Sequence, residues 1–303
     1  MVDKYNMSLE ENIFLAKRNI IDSIWKSARL EGIAVTFPDT EAIYNGLNVP
    51  SMKVDDIVAI NNLKHAWQFM LDTIDYPFDY AYLCKLHQCV GSNLIYGAGR
   101  IRTVPVSIGG TSWKPDFPIE SVIKEEIAHV LKTANATERA IEMALYAMRK
   151  QIFLDGNKRV SMLAANQIMI SNGVGILSVP VEKQAEFTHL LINYYETNKN
   201  DEVKEFLYES CIDGLAFEHE KDYTVRVKKE ITDAHFKPTS TLVENMQHLR
   251  EVMGRTIPLK ELAVLYKNRQ FMEGTAQKYV EEIGNELMQQ ELGKEFIHAE
   301  AEP

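Results

Sequence analysis

Two helical patterns close on a nine-residue stretch, Gln151-Ile-Phe-Leu-Asp-Gly-Asn-Lys-Arg159, and any fold of this chain must accommodate a short loop there. Residues 136–150 carry Ile141, Leu145 and Met148 on one helical face. Residues 160–172 repeat the pattern with Leu163, Ile168 and Met169, and Gly173 follows as a helix stop. A loop ending at a helix N-terminus offers free N–H groups and the positive end of a dipole, which together attract anions. Gly156 lets backbone approach a ligand closely, and Asn157 can hold a tight turn with its side chain. Lys158 and Arg159 add positive charge, and the Arg159 fork suits a phosphate. Asp155 is a hard oxygen ligand of the kind Mg²⁺ takes between phosphates, and Phe153 would root the loop in the core. The local chemistry points to a nucleotide phosphate site. A solvated turn between two helices uses the same residue types, so this chemistry alone leaves both readings open.

A chain of 303 residues has room for one large or two ordinary domains. Apolar content of 46% and charged content of 25% are those of a soluble globular protein. A net charge of −10 speaks against a general nucleic-acid binder, which needs basic surface. Cys84, Cys89 and Cys211 form neither a metal spacing nor a disulfide framework, which suggests a reducing, cytoplasmic setting. No run is long and apolar enough to span a membrane, and the first residues lack a signal-peptide core.

Most of the chain reads as helix. Helices are expected over 9–30, with Gly32 as a stop, over a short piece opened near Asp39, and over 55–74, 79–90 and 120–133. Further helices are expected over 182–197 and 202–211. His65, His87 and His129 fall inside helical patterns and read as packing or surface residues. Residues 96–110 change character: Val104, Val106 and Ile108 alternate with Thr103, Pro105 and Ser107 between glycines, a hairpin signal. Pro105 suits an edge strand, which could align a peptide by strand addition or be a plain surface hairpin. Val179-Pro-Val reads as extended, and 223–229 as a weak strand. From Leu259 two short amphipathic helices follow, with Leu259, Leu262 and Ala263 expected against Ala276, Tyr279 and Val280. They could form a helix-turn-helix or winged-helix-like reader, or a helical hairpin with no nucleic-acid role. Residues 291–303 read as a loose tail.

Three separated pieces resemble the Fic (Fido) family. Phe153, Asp155, Gly156, Asn157 and Arg159 match its signature, His-x-Phe-x-(Asp/Glu)-Gly-Asn-x-Arg. Residues 96–110 look like its target-holding flap, with Arg102, Thr103, Val104 and Val106 as the expected contacts. Ser27-x-x-x-Glu31-Gly32 is similar to its inhibitory motif. The resemblance covers roughly residues 10–215. It implies a mostly α helical bundle with a small β-hairpin flap and a C-terminal helical region. The expected divisions are an N-terminal inhibitory segment (1–50), a core (51–215) and a C-terminal region (220–303). The family moves AMP from ATP to a protein hydroxyl, so ATP and Mg²⁺ are the implied cofactors and a protein is the implied partner. A homodimer is also allowed, and nucleic acid would enter only through the C-terminal helices. By the same resemblance Asp155 would hold Mg²⁺, Gly156, Asn157 and Lys158 would cradle phosphates, and Arg159 would clamp them. Glu31 would pair with Arg159 and restrain the site.

Two residues depart from the family pattern. The family's general base is His, and Gln151 stands in its place. A glutamine amide takes no proton near neutral pH, and loss of a general base costs about 10²–10⁴-fold. Lys158 replaces the usual second glycine, and Asn-Lys-Arg is the form found in Doc-like toxins, which phosphorylate their targets. The expectations are therefore a residual transferase, a nucleotide-sensing pseudoenzyme, or a DNA-binding regulator acting through the C-terminal helices.

Overall fold

The computed structural model describes residues 1–215, 244–246, 259–271 and 274–289. The chain divides into two compact units, Met1–Ala216 and Phe217–Pro303. The expected strand at 223–229 and the tail at 291–303 lie outside the described residues.

The first unit is built around one helix. α8 (Asn157–Ser171) buries nearly every residue it has, polar Ser161, Asn166 and Gln167 included. A helix apolar or satisfied on all sides belongs at a bundle's centre. α7 (Ala136–Lys150), α5 (Tyr80–Val90), α4 (Val54–Asp72) and α1 (Leu9–Arg18) pack around it. Asn166 closes its own polarity locally, donating to Met162 O and Leu177 O while accepting from Leu177 N–H. α8 ends as expected: Gly173 adopts φ +70, and Val174 N–H and Gly173 N–H reach back to Met169 O and Ile170 O. It begins earlier than expected, so Asn157, Lys158 and Arg159 are its first turn and not loop.

The expected single helix over 9–30 is two, α1 and α2 (Ile20–Leu30), broken at Asn19. The Asn19 side chain donates to Leu15 O and competes with helix continuation there. α3 (Phe37–Tyr44) opens at Thr36, whose capping box with Asp39 sets its start. α6 (Glu120–Val130) packs on α5 and α7, α9 (Gln184–Thr197) follows a short 3₁₀ turn, and α10 (Asp201–Ser210) closes the unit.

Among the described residues the fold is mostly helical with one small two-stranded antiparallel sheet. That sheet pairs β1 (Ile176–Leu177) with β2 (Ile212–Asp213), in register Ile176 to Asp213 and Leu177 to Ile212. The hairpin expected at 96–110 is not there; these residues run as turns and extended coil without a ladder. Pro105 donates no N–H, and the Arg102 side chain takes the Val104 carbonyl, so the alternating residues form no ladder. The extended piece expected at 179–181 is not a strand: β1 lies just before it, at Ile176–Leu177, and Val181 opens the 3₁₀ turn.

In the second unit α11 (Leu259–Lys267) packs on α12 (Gly274–Gln289), the expected helical pair. Leu262, Ala263 and Val280 are buried. The side chains of Leu259, Ala276 and Tyr279 lie outside the described residues. Tyr266 lies over Gly284, where a Cβ would collide with its ring, and its hydroxyl donates to Asn285 at 2.6 Å.

Candidate functional site

The 151–159 loop is held by its own amides. Gln151 caps α7 in the left-handed region, φ 48° and ψ 58°. Its Nε2 donates to Met148 O at 2.6 Å, and its Oε1 accepts from Asn157 Nδ2 at 3.1 Å. Asn157 in turn accepts from Phe153 N–H at 3.0 Å and donates to Phe153 O at 2.9 Å. The Asn157 side chain was expected against phosphates. It is 5% exposed and spent on closing the loop, so only its backbone faces outward chemistry. Phe153 is fully buried, as expected of a root. It stacks on His87 with ring centres 3.8 Å apart.

The charges converge at the α8 N-terminus. Asp155 accepts from Gly156 N–H at 2.6 Å, and its second oxygen lies 3.3 Å from Arg159 Nη2. The Asp155 side chain is 66% exposed, that of Arg159 8%. Glu31 enters from α2. A Schellman cap, with Gly32 N–H on Arg29 O and Ile33 N–H on Ala28 O, stops α2 and fixes Glu31 at its last turn. Gly32 sits at φ +82, which suits glycine. Glu31 Oε2 lies 3.7 Å from Arg159 Nε, and Oε1 4.0 Å from Lys158 Nζ. Glu31 Oε1 and Arg159 Nε are buried without a hydrogen-bond partner. This is an ion pair short of full contact, with two buried polar atoms still unsatisfied. Lys158 does not point to a phosphate position; its Nζ donates to Leu30 O at 3.1 Å, a C-terminal cap for α2. Ser27 supplies its carbonyl to the Glu31 N–H at 3.3 Å.

The 96–110 segment is clamped at both ends. Arg102 was expected to meet a target, yet it is 4% exposed and turned inward. It donates to Gln151 O at 2.7 Å, to Val104 O at 2.9 Å and to Asp116 O, while its own N–H binds Ile152 O at 3.0 Å. At the far end Thr111 bonds Glu196 at 2.7 Å, and Trp113 stacks on Tyr195 of α9. Between the clamps Thr103 and Val104 are exposed and Val106 is half-buried. Tyr195, which sequence reasoning missed, is buried, and burial followed by the nearby Glu31 charge holds its phenol pKa up.

Residues 77–169 match the model of the Fic/DOC family. The curated protein adenylyltransferase fic-1 of Caenorhabditis elegans is 26% identical over 175 residues, 54% of this chain. This chain spans about a third (34%) of that relative's length. A solved Fic-1 fragment from C. elegans superposes with a TM-score of 0.55 at 22% identity, covering 64% of this chain and 61% of that one. A Fic domain containing signaling protein from Bacteroides thetaiotaomicron gives 0.55 at 14% identity, over 67% of this chain and 85% of that one. A Fic family protein from Desulfovibrio desulfuricans gives 0.53 at 16% identity, over 80% and 77%. At these identities the superpositions show a shared fold.

The Fic/DOC match takes in the loop, Arg102 and His87 and leaves α2 with Glu31 outside it. His65 and His129 are surface residues, but His87 is fully buried within the matched stretch. The available signal was its register: it shares the buried face of α5 with Leu83, Leu86 and Val90, where a polar ring must find partners. Among the described residues no group of three or more His, Cys, Asp or Glu could hold a metal, and no helix is long and apolar enough to cross a membrane.

Proposed function

We propose that this chain binds Mg-ATP at the 151–159 loop, that Glu31 restrains the site through Arg159, and that AMP transfer to a protein is weak because residue 151 carries no base. The observation that carries the reading is Arg159: a guanidinium 8% exposed, its Nε without a hydrogen bond, set in the first turn of α8 beside Asp155. Such a group is poised to take an anion, and a helix N-terminus adds N–H groups to it. Gly156, at φ +73, holds the left-handed turn that brings the loop into α8, where a side chain would be strained and would press on Ile95 and His87. The donor set fits the metal: one exposed carboxylate, Asp155, is what Mg²⁺ asks of a protein when phosphates complete its shell. Asp155 would hold Mg²⁺, which when bound supplies neutralisation of phosphate charge. The backbone of Gly156 and the first turn of α8 would orient the phosphates, and Arg159 would clamp them once Glu31 let go.

The Gln151 amide supports binding over turnover. Both its ends are engaged, on Met148 and Asn157, and neither can accept a proton near neutral pH. The relative named as an adenylyltransferase supports AMP as the group moved where any transfer remains. The partner we propose is a protein segment laid along 103–108, where Thr103, Val104, Pro105 and Ser107 are exposed and the extended chain offers a place for strand addition.

Calorimetric titration of Mg-ATP into wild type and Glu31→Gly tests this. Binding should be tighter in the variant by about tenfold or more, the size of one lost charge-assisted restraint. Arg159→Ala in the same background should abolish it. No binding to any of the three proteins would refute the reading.

A further inference from the structure

His87 is fully buried, yet its partners are specific. Its ring lies flat on Phe153, 6° from parallel. Nδ1 accepts from the Gly99 N–H at 2.8 Å, where the 96–110 segment leaves α5. Nε2 lies 2.8 Å from the backbone oxygen of Asp155, in the middle of the phosphate loop. A backbone N–H can only donate and a carbonyl can only accept, so the pair selects one neutral tautomer, with the proton on Nε2. Glycine stands at both contacts. Gly99 sits at φ +81, where a Cβ would lie 3.0 Å from Cys84 O. Gly156 sits at φ +73, where a Cβ would lie 3.4 Å from His87 Nε2 and 3.0 Å from Ile95 Cδ1. Backbone thus closes on the imidazole from two segments that are far apart in sequence, with Gly99 held by one nitrogen and Asp155 by the other.

We propose that His87 is a positioning residue: one imidazole fixes the root of the flap and the carbonyl of the residue that would carry the metal in a single frame, so that the two faces of the site move together. Its affinity arm rests on the Mg-ATP reading; its structural arm does not. The two nitrogens can be separated by substitution. In His87→Asn the side-chain oxygen can replace Nδ1 and keep the Gly99 link, and the reach to Asp155 is lost. In His87→Gln the amide nitrogen can replace Nε2 and keep Asp155, and Gly99 is released. His87→Phe keeps the stack on Phe153 and loses both bonds.

Amide hydrogen exchange and Mg-ATP titration, both in the Glu31→Gly background, read the split. In His87→Gln the Gly99 amide should exchange about tenfold faster, the effect of one lost buried bond, with loop amides 153–157 and Mg-ATP affinity little changed. In His87→Asn the Gly99 amide should stay protected, the loop amides should exchange faster, and Mg-ATP affinity should fall by about tenfold. His87→Phe should show both losses. Identical exchange patterns in the Asn and Gln variants, whether wild-type-like or uniformly loosened along with the melting temperature, would overturn the proposal and leave His87 as core packing. If Glu31→Gly itself binds no Mg-ATP, the function proposed above fails, and the exchange patterns still decide the role of His87.

Discussion

Gln151 combines a strained backbone with a fully engaged side chain, and that combination predicts how the chemistry could be restored. Histidine is among the residues that tolerate left-handed backbone, so Gln151→His should fold without added strain at φ 48°. Placed in the Glu31→Gly background, it should raise AMP transfer from radiolabelled ATP to protein by about 10²–10⁴-fold, the usual worth of a general base. Unchanged transfer would mean that the missing base is not what limits the reaction. His87 makes a separate prediction about pH. Burial pulls its pKa down to about 4, the Arg159 charge adds to this, and its bond to Asp155 O and the Asp155 charge oppose it. The unfolded chain therefore binds a proton here at higher pH than the folded one, so stability is complete above pH 6.5 and falls as pH drops toward 4. The loss should reach roughly 3 kcal/mol across that window, and thermal melts of wild type against His87→Asn should show the slope flattened in the variant.

Elements, more than single residues, explain what the flap is. The segment keeps its place through Arg102, which bonds carbonyls of residues 104, 116 and 151 at once. Lysine cannot reproduce that fork. Arg102→Lys should lower stability by about 1–2 kcal/mol in chemical denaturation, since it loses the forked bonds that tie the segment down, and should speed proteolysis within 103–110. Much of this architecture was legible from residue patterns. α7, the Gly173 stop and the Gly32 stop stand where apolar spacing and glycines put them, because each is decided by interactions within one turn. The flap was misread as a hairpin because alternation reports which faces differ, and Arg102 satisfies by side chain what a ladder would have satisfied by backbone. The loop residues stand out in the sequence, but the directions of their side chains do not. Asn157 turns inward and Lys158 turns back to α2, choices made by partners over a hundred residues away in one case and by loop closure in the other.

The molecule divides cleanly enough to be tested in pieces. The large core cluster draws on residues from Met7 to Ile212, all within the first unit, while Leu262, Leu265, Val280 and Ile283 are buried in the second. A chain ending at residue 216 should therefore melt cooperatively and bind Mg-ATP in the Glu31→Gly form as the full chain does; an unfolded fragment would show that the second unit is needed for the first. Within the first unit α8 serves two ends at once, for its opening turn carries Arg159 beside Asp155 and Glu31 and the rest of it is the centre of the core. This bears on how natural variation at the site should be weighed. Phe153 and Asn157 must persist in any relative that folds, whether or not it touches a nucleotide, because the protein's interior depends on them. The Asp155 carboxylate is different: exposed to solvent and engaged only by Gly156 and Arg159, it is dispensable to the core, and its survival or decay across natural variants would record whether the site is still in use.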